Sequence, residues 1–126
     1  MSSQEQPQGA RKRFGKEQRL LKGAEFDAVF AQKASAGDGV MLVYGRRNGL
    51  GRPRLGLVVS RKVGKAVVRN RWKRTLREAF RLAQHDLPSM DLVCLPKSRT
   101  EPTLRAVQGS LCRLALKVQK KTEKGA

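Results

Sequence analysis

An α+β sandwich with a mostly antiparallel sheet follows from three features of this 126-residue chain. Three stretches carry apolar residues at helical spacing, three short runs are rich in strand-forming residues, and glycine and proline clusters separate them. The length suits a single domain with one modest core. The predicted order is α-β-β-α-β-α, a small two-layer sandwich with a helical layer on one sheet.

Residues 1–19 read as a polar, basic, mobile arm holding Arg11, Lys12, Arg13, Lys16 and Arg19, with little to bury. Its opening, M-S-S-Q-E-Q-P-Q-G-A, lacks the apolar core of a secretory signal. The folded domain is expected over 20–118, with a basic tail over 119–126. A short helix is predicted from Ala24 to Gln32, where Phe26 and Phe30 stand at i and i+4 beside Val29. The turn formers S-A-G-D-G at 35–39 break it.

Val40 to Arg46 and Leu55 to Ser60 read as strands, and the R-N-G-L-G-R-P-R between them as a turn, so 40–60 is expected to form an antiparallel hairpin. Alternation puts Leu55, Leu57 and Val59 on one face, and Gly56, Val58 and Ser60 on the other. Arg61 to Ala66 is a basic loop around Gly64, and a central helix follows from Val67 to Gln84, ended by H-D-L-P-S. Asp91 to Pro96 is a third strand whose unbroken apolar run predicts burial on both faces. A last helix carries Leu104, Val107, Leu111, Leu114 and Val118. Pro102 belongs near its first turn with Ser98 or Thr100 as cap, and Lys117 to Lys124 is expected to fray.

The central helix is where composition becomes chemistry. Val68, Trp72, Leu76, Ala79, Phe80 and Ala83 occupy roughly a third of its circumference, while Asn70, Lys73, Arg74, Arg77 and Arg81 gather on the adjoining face. From Arg61 to Arg81 nine basic residues face one acid, Glu78. A charged helix face is often merely solvated. Here the charge is almost of one sign, arginine dominates with a fork suited to phosphate oxygens, and a basic glycine-containing loop leads into the helix N-terminus, where amides favour anions. Together these point to a reader of phosphate backbones. The net charge of +18 and pI near 11.3 agree, since self-repulsion on that scale calls for a polyanion. A membrane partner fits less well: no run approaches the roughly 18 apolar residues of a span, and aromatics make up 5% of the chain.

Catalysis by the protein itself finds little footing. His85, the sole histidine, sits beside a helix end next to Asp86 and reads as a surface capping residue. The ten acids form no multi-carboxylate motif, and Glu25 and Asp27, two apart on a helix, point in different directions. The glycines at 45, 49, 51 and 56 do not build a phosphate loop. Cys94 and Cys112 lack partners at metal-ligand spacing and read as buried reduced thiols in a cytosolic protein. Phe26, Phe30 and Tyr44 suit either core packing or a stacking platform for single-stranded nucleic acid, and composition does not choose between them.

The stretch S-R-K-V-G-K-A-V-V followed by R-N-R-W-K-R-T-L-R-E-A-F resembles the signature of the bacterial ribonuclease P protein component. E-F-D-A-V-F at 25–30, L-G-L-V-V-S-R-K at 55–62 and D-L-V-C-L-P-K at 91–97 resemble further parts of that family, over about residues 19–118. Trp72 stands where the family pattern has an aliphatic residue, though still on the apolar stripe. The resemblance implies a cytoplasmic protein cofactor of a ribozyme. The RNA subunit would carry the catalytic magnesium ions and cleave precursor tRNA to free the mature 5′ end, with no metal bound by the protein alone and no obligate protein partner. It implies that Arg61, Lys62, Lys65, Arg69, Asn70, Arg71, Lys73, Arg74 and Arg77 contact the catalytic RNA; Arg81, on the same helix face, joins them. It also implies that Phe26, Phe30 and Tyr44 line a cleft for the 5′ leader, and that an unusual left-handed β-α-β crossover surrounds the central helix. A structural RNA-binding protein of ribosomal type would explain the charge equally well, and would leave the phenylalanine pair as core.

Overall fold

The computed structural model describes residues 15–97 and 101–124, and its frame is a central strand. This strand, Met90–Pro96, is the last of four, after β1 (Ser35–Gly37), β2 (Met41–Arg47) and β3 (Arg54–Leu57), and is labelled β4. The sheet order is β1-β2-β4-β3. β4 pairs antiparallel with β2, setting Tyr44 opposite Val93, and parallel with β3, setting Leu55 opposite Leu92. Its apolar run is buried on both faces, as the sequence predicts.

That arrangement overturns the 40–60 hairpin. β2 and β3 are not neighbours, because β4 lies between them. A two-sided apolar strand buries most surface between two others, and this long-range gain outweighs the local turn. The intervening segment is a wide loop built on Asn48. Its Nδ2 donates to the Arg52 carbonyl at 3.0 Å and to Asp91 Oδ1 of β4 at 2.9 Å, and its Oδ1 accepts from the Leu50 amide at 2.9 Å. Gly49 and Gly51 take φ of 67° and 76°, a region glycine enters without steric cost.

The expected break at 35–39 is half strand. β1 forms an antiparallel edge, and the turn proper is made by Asp38, whose Oδ1 accepts from the Val40 and Met41 amides at 2.8 and 3.0 Å. The order therefore reads α-β-β-β-α-β-α, with helices α1 (Gly23–Ala31), α2 (Ala66–Ala83) and α3 (Leu104–Lys124). α1 is capped by Glu25, which accepts from the Leu21 and Lys22 amides at 2.9 and 3.1 Å.

Two apolar clusters divide along the alternation of the strands. On one face Leu55, Leu92 and Cys94 pack with Trp72, Leu76 and Phe80 of α2 and Leu111 and Leu114 of α3. On the other, Leu20, Val29 and Val93 pack with Phe26, Phe30, Tyr44, Val58 and Leu95. The single helical layer predicted thus comprises α2 and α3, while α1 covers the opposite face. The strand predicted to reach Ser60 ends at Leu57, but the foretold alternation carries on past it: Leu57 and Val59 reach the first cluster and Val58 the second.

α3 begins after Thr103, whose Oγ1 accepts from the Ala106 amide at 3.3 Å; Pro102 precedes it. Ser98 and Thr100, the expected caps, lie outside the described residues, as do Arg11, Lys12 and Arg13 of the arm. The predicted fraying from Lys117 does not occur: the helix runs to Lys124, buries Val118 and Thr122, and ties Lys121 to the Ser35 carbonyl.

Candidate nucleic-acid interface

Burial decides which way α2 faces. Trp72, Leu76, Ala79, Phe80 and Ala83 are all at most 1% exposed, so rotation of the helix is pinned from one side. The other side presents Asn70, Lys73, Arg74, Arg77 and Arg81 together around an open hollow of about 560 Å³. Four cations line it against one carboxylate, Glu78. Arg81 holds that carboxylate by bonds of 2.9 and 2.6 Å, which keep Glu78 below the ordinary glutamate range.

The loop before α2 is anchored by one side chain. Val63, within a 3-10 turn over Arg61–Val63, is buried in the core, leaving Arg61 and Lys62 exposed. Gly64 follows at φ 147°, and Lys65 takes the N-cap position, where no side chain bonds the first amides. Besides the loop residues Arg61, Lys62 and Lys65, two predicted residues of α2 itself stand apart from the hollow. Arg71 points along the α3 flank and pairs with Glu101. Arg69 is half-buried, its Nε without a hydrogen-bond partner among the described residues.

On the opposite sheet face, Phe30 meets Tyr44 edge to face, with ring centroids 5.0 Å apart and planes at 78°. Phe26 lies over Gly56; a Cβ there would stand 2.7 Å from the Phe26 Cε2, so the glycine makes the ring's seat. All three aromatics remain partly exposed. Leu42, Val58 and Leu95, half-buried and on this same face, extend the surface. Sequence reasoning missed them as site residues, although the period-two alternation of β2 and of residues 55–60 carries the signal for Leu42 and Val58.

Arg54 fixes α1 to the sheet. Its Nε and Nη2 donate to Asp91 at 2.8 and 2.7 Å, and its Nη1 to Glu25 Oε2 at 3.1 Å. The Lys22 and Leu21 amides, with help from Arg54, hold the Glu25 carboxyl below its usual range.

Groups suited to protein-based chemistry stay scattered. His85 is exposed in the 3-10 turn after α2. Among the described residues no three His, Cys, Asp or Glu side chains converge to hold a metal ion. Both cysteines are free; burial pushes the Cys94 thiol up to about 12 and raises that of Cys112 as well, so neither offers a ready thiolate. Among the described residues no helix is long and apolar enough to cross a membrane.

Comparison with known proteins places this geometry. The sequence pattern of the ribonuclease P family matches residues 14–118. The chain belongs to the ribonuclease P protein family. The ribonuclease P protein component of Salmonella paratyphi A is 51% identical over 85 residues, 67% of this chain and 71% of that protein. The RNase P protein of Staphylococcus aureus superposes with a TM-score of 0.69 at 30% identity, covering 82% of this chain and 95% of that one. That of Thermotoga maritima gives 0.69 at 33% identity, covering 77% and 94%. Membership in the ribonuclease P family carries a role in tRNA processing, and the ribosomal-type alternative is not favoured. The family fold is α+β, as the sequence predicts.

Proposed function

We propose that the chain is the protein subunit of a ribonuclease P ribonucleoprotein. It binds the catalytic RNA through α2 and the loop before it, and the 5′ leader of precursor tRNA through the sheet face that carries α1. The observation that carries this reading is the sidedness of α2. A helix pinned by a buried stripe holds Asn70, Lys73, Arg74, Arg77 and Arg81 in one open hollow, with a single acid already paired to Arg81. Phosphates entering the hollow would release condensed counterions, giving affinity that falls steeply with salt. Arg61, Lys62 and Lys65 extend the cationic surface toward the helix N-terminus.

On the α1 side, Phe26, Phe30 and Tyr44 offer ring surface beside half-buried leucine and valine, a footing on which unpaired bases stack without sequence preference. The magnesium ions are assigned to the RNA subunit, which performs the endonucleolytic cleavage. The protein's part is electrostatic docking of that RNA and retention of the leader, in the cytoplasm.

The test mixes the protein with a bacterial ribonuclease P RNA and precursor tRNA at low magnesium. Stimulated cleavage at the mature 5′ end is expected; absence of stimulation with a correctly folded RNA sinks the reading. Cleavage by the protein alone would indicate a self-sufficient nuclease. Replacing Phe30 by Ala should weaken precursor binding relative to mature tRNA while sparing affinity for the RNA subunit. Equal losses would return Phe30 to the core.

A further inference from the structure

We infer that the outer edge of β3 carries a site for one RNA nucleotide, where a strand passes from the α2 face to the α1 face. The inference rests on the two surfaces proposed above and adds the point at which they join. β3 ends the sheet order, so its outer edge separates the two faces. A hollow of about 170 Å³ opens there, with room for a single base. Its floor is apolar and comes from both sides of the sheet: Leu20 and Phe26 from the α1 cluster, Leu55 and Leu57 from the α2 cluster.

Two arginines, Arg19 and Arg77, complete the lining. Arg77 also lines the larger hollow on α2, so one guanidinium belongs to both sites and the cationic track is continuous around the sheet edge. Leu21, 56% exposed, leaves an uncovered apolar surface at the mouth.

The wall is built rather than incidental. The Leu20 amide donates to the Leu55 carbonyl at 2.9 Å, Arg52 Nη2 donates to the Glu17 carbonyl at 3.1 Å, and Gln18 bonds the side chain of Gln84 at the end of α2. These bonds strap residues 17–20 along the β3 edge and against the end of α2. An apolar floor lined also by two guanidinium groups matches a ligand that is flat and apolar at its centre and anionic at its margin. A nucleotide is such a ligand: its base would rest on the leucines and Phe26, its phosphate between Arg19 and Arg77.

The experiment places a benzophenone side chain at position 21 of the full chain, and in a second chain at position 44. Each is assembled with a bacterial ribonuclease P RNA and precursor tRNA, then irradiated. Position 21 is expected to crosslink an unpaired nucleotide, with the yield reduced about tenfold by Arg77→Gln, near the low end of what one stacked, gripped nucleotide contributes. A crosslink from 44 without one from 21 overturns this site and leaves the leader reading standing. Loss of both overturns the leader reading and the site with it. A crosslink from 21 to the chain's own residues 1–14 also overturns it, since the hollow would then hold a segment of the protein.

Discussion

Arg54→Met should be the most damaging single change outside the apolar core. The Asp91 side chain is 2% exposed and takes two bonds from Arg54 and one from Asn48. Without the guanidinium, the carboxylate stays buried with the Asn48 amide as its remaining described side-chain donor. Removing one partner of a buried ion pair costs about 3–5 kcal/mol. Arg54 is itself 21% exposed and water reaches part of the site, which places the expected loss near the lower bound, about 3 kcal/mol. The second arm, to Glu25, is more open and adds less than about 1 kcal/mol. Against a typical total of about 5–15 kcal/mol this is a large fraction. Urea unfolding reads it as a fall in midpoint of about 1–3 M at unchanged slope. Combining Arg54→Met with Asp91→Leu removes both charges and should recover most of the loss. A single variant within about 1 kcal/mol of the native chain, or a double variant no better than the single, would refute the argument.

Four further outcomes follow from local geometry. Gly56→Ala would set its methyl 2.7 and 2.8 Å from two Phe26 ring atoms, so a loss of about 1–3 kcal/mol is expected in thermal unfolding, with partial recovery when Phe26 becomes Leu. Arg74→Ala should lower the slope of log affinity against log salt for the RNA subunit by about 0.7–0.9, one phosphate contact, and an unchanged slope would place Arg74 off the backbone. Glu101→Ala, which releases Arg71 from an exposed pair, should strengthen the same binding; unchanged affinity would exclude Arg71 from the interface. Asp38 and Glu25 have carboxyls held low in the fold. For Asp38, burial opposes this but is outweighed by bonds from Ser110, Met41 and Val40; for Glu25 the Lys22 and Leu21 amides lead. Their contribution is therefore complete above the unfolded values near 4 and disappears as pH drops through the lower folded ones. Unfolding midpoints followed from pH 5 to 3 should fall, and Asp38→Asn should flatten that decline.

Much of this was legible before any coordinates. The two faces of α2 could be read because both the apolar stripe and the arginines recur within one helix at its own period, and a helix makes its backbone bonds internally. The same holds for the two-sided burial of β4 and the alternation of β3. Edge elements were harder. Ser35–Gly37 carries no apolar signal and becomes a strand because Asp38 turns the chain back beside β2. Thr103 opens α3, a choice among nearby hydroxyl residues that local capping preferences do not resolve.

By itself, then, the sequence determined a single-signed cationic helix face, a buried reverse side and an RNA-directed chemistry, all properties of residues close together in the chain. Tertiary structure alone decided that β4 parts β2 from β3, that Phe30 meets Tyr44, that Gly56 seats Phe26, and that Arg77 borders two hollows at once. The reason is that a strand's backbone bonds lie outside itself. Its neighbour is chosen by total burial across the whole sheet, and sites assembled from several strands and helices inherit that choice.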